Sequence, residues 1–219
     1  MKILSSASIA GSCKGSEIGS ARQYFDLYQN VIERLPFAVI DELVDELLRC
    51  YDEGRTLFLF GNGGSAALAS HLACDLGKGT VPQGESRTRF RVIALTDNVP
   101  LLTAWANDSS YEIIFSEQLQ NLVRPGDVVF AISGSGSSPN VLAGLLAARS
   151  AGAKTLGLTG SAGTKMMALC KLCVVIPSEN MQIIEDFHLG VAHAVFTVIR
   201  QRIAEAVHSR ALAKATAFD

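Results

Sequence analysis

Apolar residues recur at intervals of three and four near the start of the chain, at Phe25, Leu27, Val31, Ile32 and Leu35, then at Ile40, Leu43, Val44, Leu47 and Leu48. That period buries one face of an α-helix, and Pro36 between the two sets predicts two helices within 20–50. The period then changes. Thr56-Leu57-Phe58-Leu59-Phe60 is a short unbroken apolar run ending in glycine, the pattern of a strand covered on both faces. Similar runs follow at 90–95, 128–132, 155–158 and 172–176, separated by helical patterns at 99–106, 112–123, 140–151, 165–169 and 181–208. Such alternation predicts an α/β fold with a parallel sheet covered by helices on both sides. The patterned region 20–208 reads as one domain, with 1–19 a flexible N-terminal arm and 209–219 a C-terminal tail.

Composition narrows the functions this fold can serve. A single domain of 219 residues buries roughly 70% of its unfolded surface. Hydrophobic residues make up 48% but aromatics only 7%, so Ala, Leu, Ile and Val build the core and a stacking surface for bases or sugars is not expected. Nineteen basic against 21 acidic residues give a net charge of −2, which argues against a nucleic-acid partner held by its phosphate backbone. No apolar run approaches the roughly 18 residues of a membrane span. The start, with Lys2 and a small residue before Cys13, matches a lipoprotein signal poorly because Ser5, Ser6 and Ser8 interrupt its apolar stretch. Five cysteines, an odd number, fit free thiols in a reducing cytoplasm. Cys170 and Cys173 form a CxxC at a helix-to-strand junction, but no second pair exists for zinc, and neither redox nor metal chemistry is assigned to them.

In a parallel α/β sheet, ligands bind outside the carboxyl ends of the strands, where loops lead into helix N-termini. Two such loops have unusual chemistry. Gly61-Asn62-Gly63-Gly64-Ser65-Ala66 follows the first strand; its glycines let the backbone approach a ligand closely, and the free N–H groups of the next helix favour an anion. It matches a dinucleotide fingerprint only formally, because the next acidic strand end, Asp97, comes more than 30 residues on rather than about 20. Ser133-Gly134-Ser135-Gly136-Ser137-Ser138-Pro139-Asn140 follows a later strand, with Pro139 suited to the first helical position and Ser138 to a cap. Hydroxyls and glycines at a helix start suit a phosphate monoester held by neutral donors. Neither loop has the Gly-Lys-Ser/Thr of a nucleotide P-loop.

Acid, base and metal-ligand candidates fall in two segments. His71 and Asp75 are four residues apart on one helical face, with Cys74 beside them. Glu185, Asp186, His188 and His193 open the last long helix. Glu185 and His193 are separated by about 12 Å of helical rise, which puts a shared metal at the limit of side-chain reach.

Asn62-Gly63-Gly64-Ser65, His71-x-x-x-Asp75, Asn107-Asp108, Ser133-x-Ser135-x-x-Ser138 and Glu185…His188…His193 together resemble the SIS (sugar isomerase) domain of the bacterial phosphoheptose isomerases. The resemblance runs from about residue 24 to 202. It implies a single-domain, flavodoxin-like three-layer sandwich around a five-stranded parallel sheet, with N-terminal helices. It further implies a homotetramer with active sites at subunit contacts, one zinc per subunit, and conversion of sedoheptulose 7-phosphate into D-glycero-D-manno-heptose 7-phosphate. Position by position, Asn62, Gly63, Gly64, Asn107 and Asp108 match substrate-contacting residues, and Ser65, Ser133, Ser135 and Ser138 match those that hold the phosphate. His71 matches a zinc ligand, and His193 a ligand that is also the catalytic acid/base. Asp75 stands where the family has a metal-binding, catalytic Glu, Glu185 where it has a metal-binding Gln, and Gly134 where it has the middle Thr of the phosphate loop.

These departures bear on the chemistry. Aldose–ketose isomerisation needs a base for the proton next to a carbonyl, an acid for its oxygen, and stabilisation of the enediolate between them. Asp75 is one methylene, roughly 1.5 Å, shorter than Glu, comparable with displacements that can cost about 100-fold in rate. Glu185 adds a carboxylate and becomes a second candidate base. The competing reading is a non-catalytic SIS protein, either a sugar-phosphate sensor or a replication-initiator-binding regulator; the pairing of His71 with His193 favours the enzyme.

Overall fold

The computed structural model describes residues 18–81 and 88–216, with side chains described as far as Ser209. Most of the expected N-terminal arm, Cys13 included, lies outside the described residues. Two helices, α1 (Ala21–Ile32) and α2 (Phe37–Asp52), precede β1 (Thr56–Phe60). Then follow α3 (Gly64–Cys74), a π-helical turn Asp75–Gly79, β2 (Arg91–Ala94), α4 (Val99–Asp108), a 3-10 turn Tyr111–Ile113 and α5 (Ser116–Leu122). The chain closes with β3 (Val128–Ser133), α6 (Pro139–Ser150), β4 (Lys154–Gly160), α7 (Thr164–Met167), β5 (Leu172–Ile176) and α8 (Met181–Thr216). All five strands are parallel, in the order β2-β1-β3-β4-β5.

Side-chain alternation along each strand divides the core in two. Leu57, Leu59, Val128, Phe130 and Ile132 pack with α2, α3 and α8, while Phe58, Phe60, Val129 and Ala131 pack with α5 and α6. This is the three-layer sandwich that the period changes predict. The strand order reverses between β1 and β3, so the loops leaving those two strands flank the switch-point crevice.

Three boundaries differ from the periodic reading. The expected helix at 112–123 is split, because the Ser110 hydroxyl accepts from Glu112 N at 3.1 Å and the Ser116 hydroxyl donates to Ile113 O at 3.0 Å, which favours a separate short turn. Asp75 begins a π-helical turn rather than continuing the α-helix. The last helix continues past 208 to Thr216, because 204–216 is rich in Ala and other good helix formers and has no Gly or Pro.

Ionic groups at the amino ends of the strands are paired. Asp127 accepts from Thr56 N at 2.9 Å and from Arg124 N at 2.8 Å, which fixes the starts of β1 and β3. The buried Glu46 carboxylate meets Lys171 at 2.7 Å, Arg49 at 2.8 Å and Lys154 at 3.5 Å. Burial alone would raise its pKa, but Lys171 and Arg49 hold it down at about 2.

Candidate active site at the carboxyl end of the sheet

The glycine loop turns sharply from β1 into α3. Gly63 takes φ +54°, a conformation that glycine adopts without strain, and as N-cap of α3 it makes no side-chain hydrogen bond to the helix N–H groups. A Cβ on Gly64 would lie 3.3 Å from both oxygens of Glu185, so this glycine lets the first turn of α8 close over the start of α3. Ser65 is buried at the same helix start.

The serine loop leaves β3 in a similar way. Ser133 Oγ accepts from Gly136 N at 3.1 Å, and Ser135 Oγ accepts from the Ser137 hydroxyl at 3.2 Å. Ser138 is the N-cap of α6, yet its hydroxyl makes no capping bond, contrary to the expectation that it would satisfy the helix N–H groups. Neither N-cap side chain bonds its helix, although Asn140 Oδ1 accepts from Val141 N at 2.9 Å in the first turn of α6; the positive helix ends at the switch point suit an anion. A Cβ on Gly134 would meet Met181 Sδ at 2.4 Å, so the space that a threonine would occupy is filled by the start of α8.

The two loops are joined by a pair of amides. Asn62 Nδ2 donates to Asn140 Oδ1, and Asn140 Nδ2 donates to Asn62 Oδ1, each at 2.8 Å. Tyr111 OH adds a third bond to Asn62 Oδ1 at 3.1 Å. Sequence reasoning does not reach Asn140 or Tyr111; the only hint is a polar residue directly after the helix-starting Pro139. Asn107 and Asp108 sit exposed at the end of α4, with Asn107 Nδ2 donating to Asp108 Oδ1 at 2.8 Å.

His71, Asp75 and His193 converge although 122 positions separate the histidines. Their Nε2 atoms lie 3.1 Å apart, and His71 Nε2 lies 3.3 Å from Asp75 Oδ2. One potential ligand atom from each residue falls within 4.8 Å of the others. Cys74 and Glu185 are not in that group. Cys74 instead lines a depression of about 680 Å³ beside edge strand β2, whose lining includes neither the serine loop nor the clustered histidines. Glu185 lines a smaller cavity of about 270 Å³ with Gly64, Ser65, His71 and His188. That smaller cavity matters more, since it adjoins the uncapped helix and the imidazole cluster.

His188 is 1% exposed, and neither of its ring nitrogens has a hydrogen-bond partner. Burial lowers its pKa to about 4, opposed by the nearby Thr159 backbone, so the ring is neutral at physiological pH. Sequence reasoning places it among the motif residues without a role. Two nitrogens of the clustered imidazoles and a carboxylate are donors of the kind that a zinc ion accepts.

The chain matches the model of the SIS domain over residues 23–160. It is 37% identical over 187 residues to the phosphoheptose isomerase of Trichlorobacter lovleyi, which covers 82% of this chain and 90% of that protein. It is 41% identical over 163 residues to the phosphoheptose isomerase of Paramagnetospirillum magneticum, covering 74% of this chain and 79% of that one. Among solved structures, phosphoheptose isomerase GmhA from Neisseria gonorrhoeae superimposes with a TM-score of 0.75 at 28% identity, covering 82% of this chain and 96% of the other.

Proposed function

Since the chain belongs to the SIS-domain family of phosphoheptose isomerases, we propose that it is a sugar-phosphate aldose–ketose isomerase, with sedoheptulose 7-phosphate as substrate and D-glycero-D-manno-heptose 7-phosphate as product. The observation that carries this reading is the convergence of His71, Asp75 and His193 beside an uncapped helix start at the switch point.

The phosphate sits against Ser65, Ser133, Ser135 and Ser138, held by hydroxyls and backbone N–H groups, which explains how a chain of net charge −2 binds an anion without a basic patch. Asn62, Gly63 and Gly64, with Asn107 and Asp108, contact the sugar. His71, Asp75 and His193 hold one zinc per subunit, with Glu185 as the further carboxylate. Zinc, when bound, polarises the carbonyl and stabilises negative charge on its oxygen. A carboxylate takes the proton from C1, exchanges it with solvent and delivers a proton to C2, and Asp75 and Glu185 are the two candidates at the site. The His193 imidazole shuttles the proton between the two substrate oxygens. Replacing each carboxylate by its amide tells the two candidate bases apart.

The same reading makes the protein a cytoplasmic homotetramer with sites completed by a neighbouring subunit. Exposed apolar side chains such as Phe25, Phe37, Val99 and Leu146 supply surface for such contacts. No helix among the described residues is long and apolar enough to cross a membrane. Incubation with seven- and six-carbon sugar phosphates, followed by separation of aldose from ketose, tests the assignment. Interconversion of sedoheptulose 7-phosphate supports it; binding without interconversion by metal-loaded protein replaces the enzyme with a sensor.

A further inference from the structure

The CxxC pair has a setting that its sequence does not reveal. Cys170 follows α7 and Cys173 lies on edge strand β5, and both thiols are free and partly exposed. They converge on Gly157 of β4, which pairs with Cys173 in the sheet. A Cβ on Gly157 would lie 2.7 Å from Cys170 Sγ, 2.8 Å from Cys173 Sγ and 2.9 Å from Met166 Cε. The missing side chain is thus the space in which the two sulfurs approach one another. The neighbouring Cys173 thiol and burial both push the Cys170 thiol to a higher pKa, which makes Cys170 the thiol that gives up its proton second.

We propose that Cys170 and Cys173 are a reversible dithiol–disulfide site, oxidised by exchange with a small-molecule disulfide of the glutathione type. The Cys173 thiolate attacks one sulfur of the reagent, breaking its S–S bond and expelling one thiolate. Cys170 then loses its proton and attacks Cys173 Sγ, forming the intrachain S–S bond and expelling the second thiolate. The protein loses two protons and two electrons, and the reagent takes them up to become two thiols.

The site connects to the serine loop through α7. Met166, whose side chain packs on the same glycine, donates its backbone N–H to Gly136 O at 3.2 Å. The Gly163 Cα lies 2.4 Å from where a Gly136 Cβ would sit, so α7 and this loop are in close contact. Drawing Cys170 onto Cys173 reseats Met166 and shifts the loop. This second step rests on the serine loop being the phosphate site; the disulfide itself does not.

The full-length protein, equilibrated in oxidised and reduced glutathione, alkylated and digested with trypsin, provides the test. Trypsin cuts after Lys171, so the disulfide holds peptides 166–171 and 172–200 together, lighter by two hydrogens than their sum. The linked pair is expected in oxidised wild type and absent after reduction or in Cys170→Ser. Full alkylation of both cysteines in the oxidised buffer overturns the site. Oxidation is also expected to weaken protection of the protein by inorganic phosphate in thermal melts about fivefold, the lower end of coupling between sites. Unchanged phosphate protection in the oxidised wild type overturns the link to the loop. Both readouts work without turnover, so a protein that fails to isomerise sugars still decides them.

Discussion

Both ends of the sheet carry polar side chains, but they are paired at one end and incompletely paired at the other. At the amino end, Glu46 is ringed by Lys171, Arg49 and Lys154, and Asp127 accepts two backbone N–H groups. At the carboxyl end, the N-cap residues of α3 and α6 make no side-chain capping bond, the buried His188 ring makes no geometrically complete hydrogen bond, and two imidazole nitrogens face each other at 3.1 Å. Facing nitrogens cannot both carry protons, and among the described residues no Lys or Arg is paired with Asp75. Groups that complete one another hold the fold, whereas the incomplete set is the one that the proposed substrate and metal would satisfy.

Mutations at the two ends should therefore separate activity from stability. The largest effect is expected at the open end: His193→Ala lowers kcat/KM for sedoheptulose 7-phosphate about a thousandfold, the middle of the range for a lost acid/base, with an unchanged melting curve. The same variant, and Asp75→Ala, should retain less than the one zinc per subunit expected of wild type, as read by elemental analysis. A lowered melting temperature with intact turnover would instead make the cluster structural.

The paired end should show the converse. Glu46→Gln is expected to cost about 2 kcal/mol of stability at neutral pH while kcat is unchanged, since charged hydrogen bonds are lost from a buried group. The folded pKa of about 2 lies below the ordinary value of 4.5, so this stabilisation is present above pH 4.5 and fades as pH falls toward 2. Denaturant titrations across that window should show wild type and variant converging.

Smaller effects belong to single donors. Ser138→Ala removes a hydroxyl that makes no capping bond, so it should raise KM about tenfold, ~1.4 kcal/mol, without destabilising α6. His188→Gln is expected to have the least effect near neutral pH. Its folded pKa of about 4 lies below the ordinary 6.5, so only the unfolded chain takes up that proton in between. Wild type therefore loses stability as pH falls from 6.5 to 4, and the variant should lose less.

The succession of helices and strands and the two strand-end loops are legible in the sequence, because the 3.6-residue period, short unbroken apolar runs and the positions of glycines are local signals. His71, Asp75 and His193 were legible as candidates, but only the packing of α8 against α3 brings their atoms together. What stayed hidden are contacts between distant segments that no period encodes. Asn140 reaches Asn62, Met181 fills the space at Gly134, and the two thiols share the hollow at Gly157. The boundaries at Ser110 and Thr216 were missed because side-chain capping and an unbroken run of helix formers overrode the hydrophobic pattern.

The most direct measurement follows sedoheptulose 7-phosphate by NMR in deuterium oxide with metal-loaded protein. The account predicts formation of D-glycero-D-manno-heptose 7-phosphate with deuterium at C2, lost in His193→Ala. Substrate that stays unconverted, with no deuterium at C1, would contradict it.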